Sequence, residues 1–76
     1  MFRRKALEAE IPEKVHRRVS KMTQEDIVAW SDQALYAAGR SLTAYLRDPQ
    51  DVFLKDAHTA AQVLLAATTE LARRRG

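Results

Sequence analysis

Arg47-Asp48-Pro49-Gln50-Asp51 joins two long, alanine-rich segments and decides the architecture of this chain. The segments cover residues 24–47 and 49–74, and in both the apolar residues recur at the three- and four-residue spacing of an amphipathic helix. Because proline disfavours helical geometry in the residue before it, we expect Asp48 to end the first helix. Asp48 should then cap the second helix, with Pro49 in its first turn. So short a joint permits only an antiparallel helical hairpin.

The first long helix is expected to begin after Thr23. The Thr23 hydroxyl can accept a backbone hydrogen bond, and Asp26 stands three residues later, as in a capping box. The apolar positions of this helix spread over roughly 200°, about twice the arc that a helix with one packing partner needs. The edge of the arc away from Trp30 is formed by Val28, Leu35, Leu42 and Leu46.

The second long helix carries an apolar residue at alternating steps of four and three. The stripe consists of Phe53, Ala57, Ala60, Leu64, Ala67 and Leu71. This is the seam spacing of helices that pack lengthwise on each other. The alanines should let the two helix axes approach closely.

A short helix over residues 12–22 is expected to precede the hairpin, with a basic, partly disordered segment at residues 1–10. Its apolar stripe is narrow and consists of Ile11, Val15, Val19 and Met22. No segment shows the alternation of a strand or the dipeptides of a β-hairpin turn. The sequence therefore predicts a single all-α domain over residues 1–76.

The apolar arcs of the hairpin are too broad for two helices to cover each other. A short helix with four apolar side chains covers half of the remaining groove at best, whereas a second copy hides all of it in a four-helix bundle. We therefore expect a homodimer; a monomeric three-helix bundle and a complex with an unidentified protein partner are the alternatives. The predicted interface residues are Trp30, Ala34, Leu35, Ala37, Leu42, Phe53, Ala60, Leu64 and Leu71.

Composition limits the other possibilities. The chain has 76 residues and no cysteine, which excludes disulfides, cysteine-ligated zinc and thiol nucleophiles. The basic residues at positions 3–5 are followed by charge rather than by an apolar run, so no secretory signal is expected. No stretch approaches the roughly 20 apolar residues of a membrane span. A cytoplasmic protein without membrane contact is expected.

No catalytic, cofactor-binding or metal-binding pattern emerges, and we expect a protein that is not an enzyme. His58 has no histidine or carboxylate three or four residues away, as a helical metal site would need. Asp56 falls within the apolar arc of its helix, where a lone carboxylate is costly. We expect Arg40 of the adjacent helix to pair with Asp56 as a structural ion pair.

The strongest alternative role follows from the basic N-terminal region. Residues 1–22 carry seven Lys/Arg against three Glu, and four of the cations fall in the short helix. Lys14, Arg17, Arg18 and Lys21 could contact nucleic-acid phosphates without reading sequence. We expect a small interaction or regulatory protein that acts as a homodimer; the alternative is a weakly sequence-specific nucleic-acid-binding protein.

Overall fold

The computed structural model describes residues 11–76 and contains three α-helices. Helix α1 spans Glu13–Ser20, α2 spans Gln24–Arg47 and α3 spans Asp51–Arg75. No strand occurs within this part of the chain. The all-α prediction and the helical hairpin are therefore confirmed. The predicted disorder of residues 1–10 lies outside the described residues.

The helix starts follow the local sequence closely. Thr23 caps α2 as predicted, because its Oγ1 accepts a hydrogen bond from the Asp26 backbone N–H at 3.1 Å. Pro12 is the N-cap of α1, which therefore begins at Glu13, one residue later than predicted; the Pro12 carbonyl accepts hydrogen bonds from the Val15 and His16 N–H groups. Helix α1 ends at Ser20, two residues earlier than predicted.

The prediction that Asp48 caps α3 is wrong. Asp48 is instead the C-cap of α2, with an extended backbone that its neighbour Pro49 favours. The Gln50 N–H donates to the Asp48 carbonyl at 2.7 Å, which closes a three-residue turn around Pro49, and the Gln50 side chain donates to the Asp48 carboxylate. The carbonyl and the carboxylate of Asp48 are thus both used within the joint, and α3 begins at Asp51, two residues later than predicted.

Alanines line the contact between α2 and α3. Ala34 of α2 is buried, and so are Ala57, Ala60 and Ala67 of the predicted α3 stripe. Side chains this small bring helix axes toward the lower end of the usual 8–10 Å range. The larger members of the same stripe, Phe53, Leu64 and Leu71, are half-buried.

Helix α1 packs on the base of the hairpin, away from the turn. Val19 and Ile27 are fully buried there. The rest of the core consists of Ile11, Ala66 and Ala67, with Val15, Met22, Trp30, Leu65 and Leu71 packed around it. An eight-residue helix is only about 12 Å long. Helix α1 therefore covers one end of a hairpin whose helices are each about three times that length.

Candidate interaction surface

An exposed aliphatic stripe runs along α2. Val28, Leu35 and Leu42 are separated by seven residues each, and Leu46 follows four residues later. Their side chains are 51%, 62%, 49% and 84% exposed, respectively. The hairpin has thus buried one edge of the broad α2 arc and left the other edge in solvent.

Helix α3 extends this exposed surface across the hairpin. A groove between the two helices is lined by Ala38 and Leu42 of α2 and by Leu54, His58 and Ala61 of α3. The α3 residue under α1, Ala66, lies about 140° around the helix from Ala61. The groove and the α2 stripe therefore form one surface on the side of the hairpin away from α1. We call this surface, defined by Val28, Leu35, Leu42, Leu46, Leu54 and Ala61, the open face.

The predicted interface residues divide between the inside of the chain and the open face. Ala34 and Ala60 are buried in the hairpin, and Trp30, Phe53, Leu64 and Leu71 are half-buried there. Ala37 is exposed on another side of α2, and only Leu35 and Leu42 lie on the open face. Which residues bind a partner chain remains a prediction. Of the predicted residues, Leu35 and Leu42 are the ones exposed on the open face.

Gly39 also lies on the exposed stripe, between Leu35 and Leu42. A methyl group at Gly39 would meet no neighbouring side chain or helix within 4 Å. Glycine in a helix interior costs roughly 1 kcal/mol relative to alanine. Packing within the chain therefore supplies no reason for a glycine at this position.

The predicted ion pair between Asp56 and Arg40 is wrong. Asp56 is exposed, and the Arg40 guanidinium instead lies over the ring of Tyr36 and donates to its hydroxyl at 2.9 Å. Asp56 lies nearer the hairpin turn, beyond the reach of the short helix α1, so its edge of α3 stays in solvent. Tyr36 itself is 65% exposed.

A different carboxylate is buried, two heptads further along the same edge of α3. Glu70 lies under α1 and accepts hydrogen bonds from Arg73 Nε at 3.1 Å and from Arg74 Nε at 2.8 Å. Arg74 Nη2 also donates to the carbonyl of Met22 at 2.6 Å and to those of Val19 and Ser20 at 3.4 Å. Arg74 thus binds carbonyl groups in the last turn of α1 and in the segment that follows it, where a cation is favourable.

These arginines hold the Glu70 carboxylate in its charged form. The hydrogen bonds from Arg73 and then Arg74 lower the Glu70 pKa from its ordinary value of 4.5 to about 2, against the opposing effect of burial. A carboxylate that stays ionised above pH 2 is a poor proton donor or acceptor near neutrality. This cluster therefore fastens α1 to α3 and does not have the properties of a general acid or base.

A pH titration of unfolding tests this cluster. Because the Glu70 pKa is lower in the folded than in the unfolded chain, its stabilising effect is complete above about pH 4.5 and is lost as the pH falls toward 2. Glu70→Gln should remove this contribution and flatten the fall in thermal midpoint between pH 4.5 and 2. The exposed Glu25→Gln is the control. Equal flattening by both variants would contradict the assignment.

The second predicted site, the basic face of α1, is partly engaged within the chain. Arg17 forms an ion pair with Glu13 at 3.2 Å, and the Arg18 guanidinium lies 4.7 Å from the centre of the Trp30 ring. Lys14 and Lys21 are exposed. The contact of Arg74 with α1 also brings the three arginines at 73–75 to the same end of the molecule, which spacing along the sequence did not reveal.

Residues 11–76 hold no group of three or more His, Cys, Asp or Glu side chains placed to bind a metal ion. Within the same range, no helix has the length and apolar character needed to cross a membrane. Comparison with known protein families, curated proteins and solved structures finds no significant similarity to this chain.

Proposed function

We propose that this chain is a small non-enzymatic interaction protein that acts as a homodimer, with the open face as its self-association surface. The observation that carries the proposal is the row of exposed aliphatic side chains on α2 with the adjoining α3 groove. A contiguous apolar surface of this kind marks interaction sites in proteins, whereas single exposed leucines do not. Exposed side chains around the dimer would then serve its adaptor or regulatory role.

The exposed apolar area is large enough to matter energetically. The exposed fractions of Val28, Leu35, Leu42, Leu46 and Leu54 together equal roughly three aliphatic side chains per copy, at about 1.5–3 kcal/mol each. Two copies would gain on the order of 10 kcal/mol by burying both faces. Association costs about 4–15 kcal/mol in lost freedom of motion. The gain is thus of the size that a dimer requires.

The polar groups support a binding role rather than catalysis. Glu70 is the one buried charged or polar residue among those described, and two arginines neutralise it. The groove of the open face is lined by an apolar strip with a polar rim on α3: the strip is Ala38, Leu42, Leu54, Ala57 and Ala61, and the rim is Asp51, Lys55, His58, Thr59 and Gln62. An apolar centre with a polar rim is typical of binding interfaces. Binding by apolar contact is what such a surface can do.

Energy transfer between labelled copies tests self-association. We expect a mixture of donor- and acceptor-labelled full-length chains to show energy transfer, and dilution or excess unlabelled chain to abolish it. The same experiment with excess serum albumin controls for nonspecific contact. The absence of energy transfer at the highest soluble concentration would contradict the proposal.

Nucleic-acid binding is the second candidate function. The observation that favours it is the convergence of Arg73, Arg74 and Arg75 with the basic helix α1, which gathers cations from both ends of the described chain. Glu13 and Glu70 offset part of this charge. Clustered cations of this type bind phosphates with little sequence preference.

A double substitution of the exposed cations tests the second candidate. Lys14→Ala with Lys21→Ala should weaken binding to both duplex DNA and single-stranded RNA. The slope of log affinity against log salt should become shallower by about one unit for each lost phosphate contact. Gln33→Ala on α2 is the neutral control. Binding that is absent, or unchanged in the double variant, would reject the phosphate contacts.

A further inference from the structure

The exposed stripe of α2 is self-complementary. Val28 and Leu42 lie at equal distances on either side of Leu35. If two α2 helices pack antiparallel around a two-fold axis at this point, Leu35 meets Leu35 of the second copy, and Val28 meets Leu42. A symmetric interface between identical chains requires this kind of pairing.

The charges of α2 are divided about the same centre. Glu25 and Asp32 precede the centre of the stripe, whereas Arg40 and Arg47 follow it; each pair is separated by seven residues, and all four are exposed. In the antiparallel arrangement, the acidic first half of one α2 lies alongside the basic second half of the other. A parallel arrangement would instead place like charges side by side. The charges therefore favour the antiparallel pairing.

The α3 helices fit the same axis. Counted along the chain, the joint at residues 48–50 lies midway between residues 35–36 of α2 and residue 63 of α3. Because the two helices are antiparallel, residue 63 lies level with residues 35–36, and a two-fold axis at that level passes α3 near residue 63. If the two α3 helices pack antiparallel with residue 63 at the axis, Leu54 faces Ala72 of the second copy, and Ala61 faces Leu65. Each large side chain meets a small one, as interdigitated packing requires.

From these three patterns, we infer that two copies stack their open faces about a two-fold axis between residues 35 and 36, with α2 antiparallel to α2 and α3 antiparallel to α3. This inference rests on the proposed self-association and adds its geometry. This arrangement explains the glycine at position 39, because Gly39 lies one turn from the axis, where the two α2 backbones come closest. Helix α1 stays outside, on the opposite side of each hairpin.

Cysteine cross-linking tests the geometry cleanly, because the chain has no cysteine of its own. Leu35→Cys lies at the axis, and mild oxidation should convert most of this variant into a disulfide-linked dimer. A mixture of Val28→Cys and Leu42→Cys chains should form a mixed disulfide likewise, because these residues face each other across the axis, and it covers the case in which the first variant associates poorly. Val28→Cys is the matched control, because its two copies would be roughly 22 Å apart along the helices.

The pattern of cross-links decides between arrangements, with the molar mass of each reduced variant measured in parallel. Efficient linking of Leu35→Cys and of the mixture, but not of Val28→Cys alone, supports the antiparallel pairing. Linking of both Leu35→Cys and Val28→Cys alone would mean parallel α2 helices and would overturn it. A dimeric mass with no linking of Leu35→Cys or of the mixture would also overturn it, while leaving self-association intact. Monomeric mass in the wild-type chain would reject the proposed function itself.

Discussion

Leu35→Glu should convert the proposed homodimer into a folded monomer. The substitution removes an aliphatic side chain that is 62% exposed in the single chain, and each dimer loses two of them, at about 1.5–3 kcal/mol apiece when fully buried. It also brings two carboxylates together at the axis, where burial without a partner is costly. We expect the dissociation constant to rise by at least about 100-fold. Equilibrium sedimentation measures the change.

Helix content provides the check that the monomer is still folded. Leu35 is exposed in the single chain, so circular dichroism of Leu35→Glu should retain the helical signal of the wild type. Gln33→Glu adds the same charge to the same helix at an exposed position outside the stripe. It should leave the dissociation constant within a few-fold of wild type. If both variants remained dimeric with equal affinity, the open face would not be the interface.

Ile27→Ala should produce the largest loss of stability among single substitutions in the core. Ile27 is fully buried where α1 meets the hairpin. Truncating a buried isoleucine costs about 2–5 kcal/mol, a large share of the 5–15 kcal/mol that stabilises a typical domain. Urea unfolding followed by circular dichroism should show a midpoint far below that of the wild type, together with early loss of α1.

Val28→Ala is the matched control, since the neighbouring residue carries a similar side chain on the open face. Its effect should appear in the dissociation constant, whereas unfolding at concentrations where the chain is monomeric should change by less than about 0.5 kcal/mol. Equal losses of monomer stability from the two variants would mean that the division between core and open face is incorrect.

The sequence was sufficient for the hairpin because its determinants are local. The Thr23 cap and the helix-breaking effect of Pro49 on Asp48 each involve residues within a few positions of one another. The predicted start of α3 was wrong because the Asp48 side chain can accept a hydrogen bond from either of two partners. It could cap the next helix or bond to Gln50, and only the geometry of the turn decides between them.

The buried carboxylate shows what periodicity could not resolve. Asp56, Val63 and Glu70 share one edge of α3, and periodicity treats them alike. Which carboxylate becomes buried depends on where α1 docks, and α1 covers only the base of the hairpin. The partner of α1 is Arg74, more than fifty residues away, and no local pattern connects them. The breadth of the α2 arc did predict that some apolar edge would remain uncovered.

The molar mass of the full chain in solution, measured by light scattering after size exclusion over a concentration series, tests the central claim most directly. The proposal predicts twice the chain mass of 8.6 kDa at high concentration, falling to the monomer value only on strong dilution. A mass of 8.6 kDa at every concentration would contradict the proposal and leave the open face without a second copy to cover it.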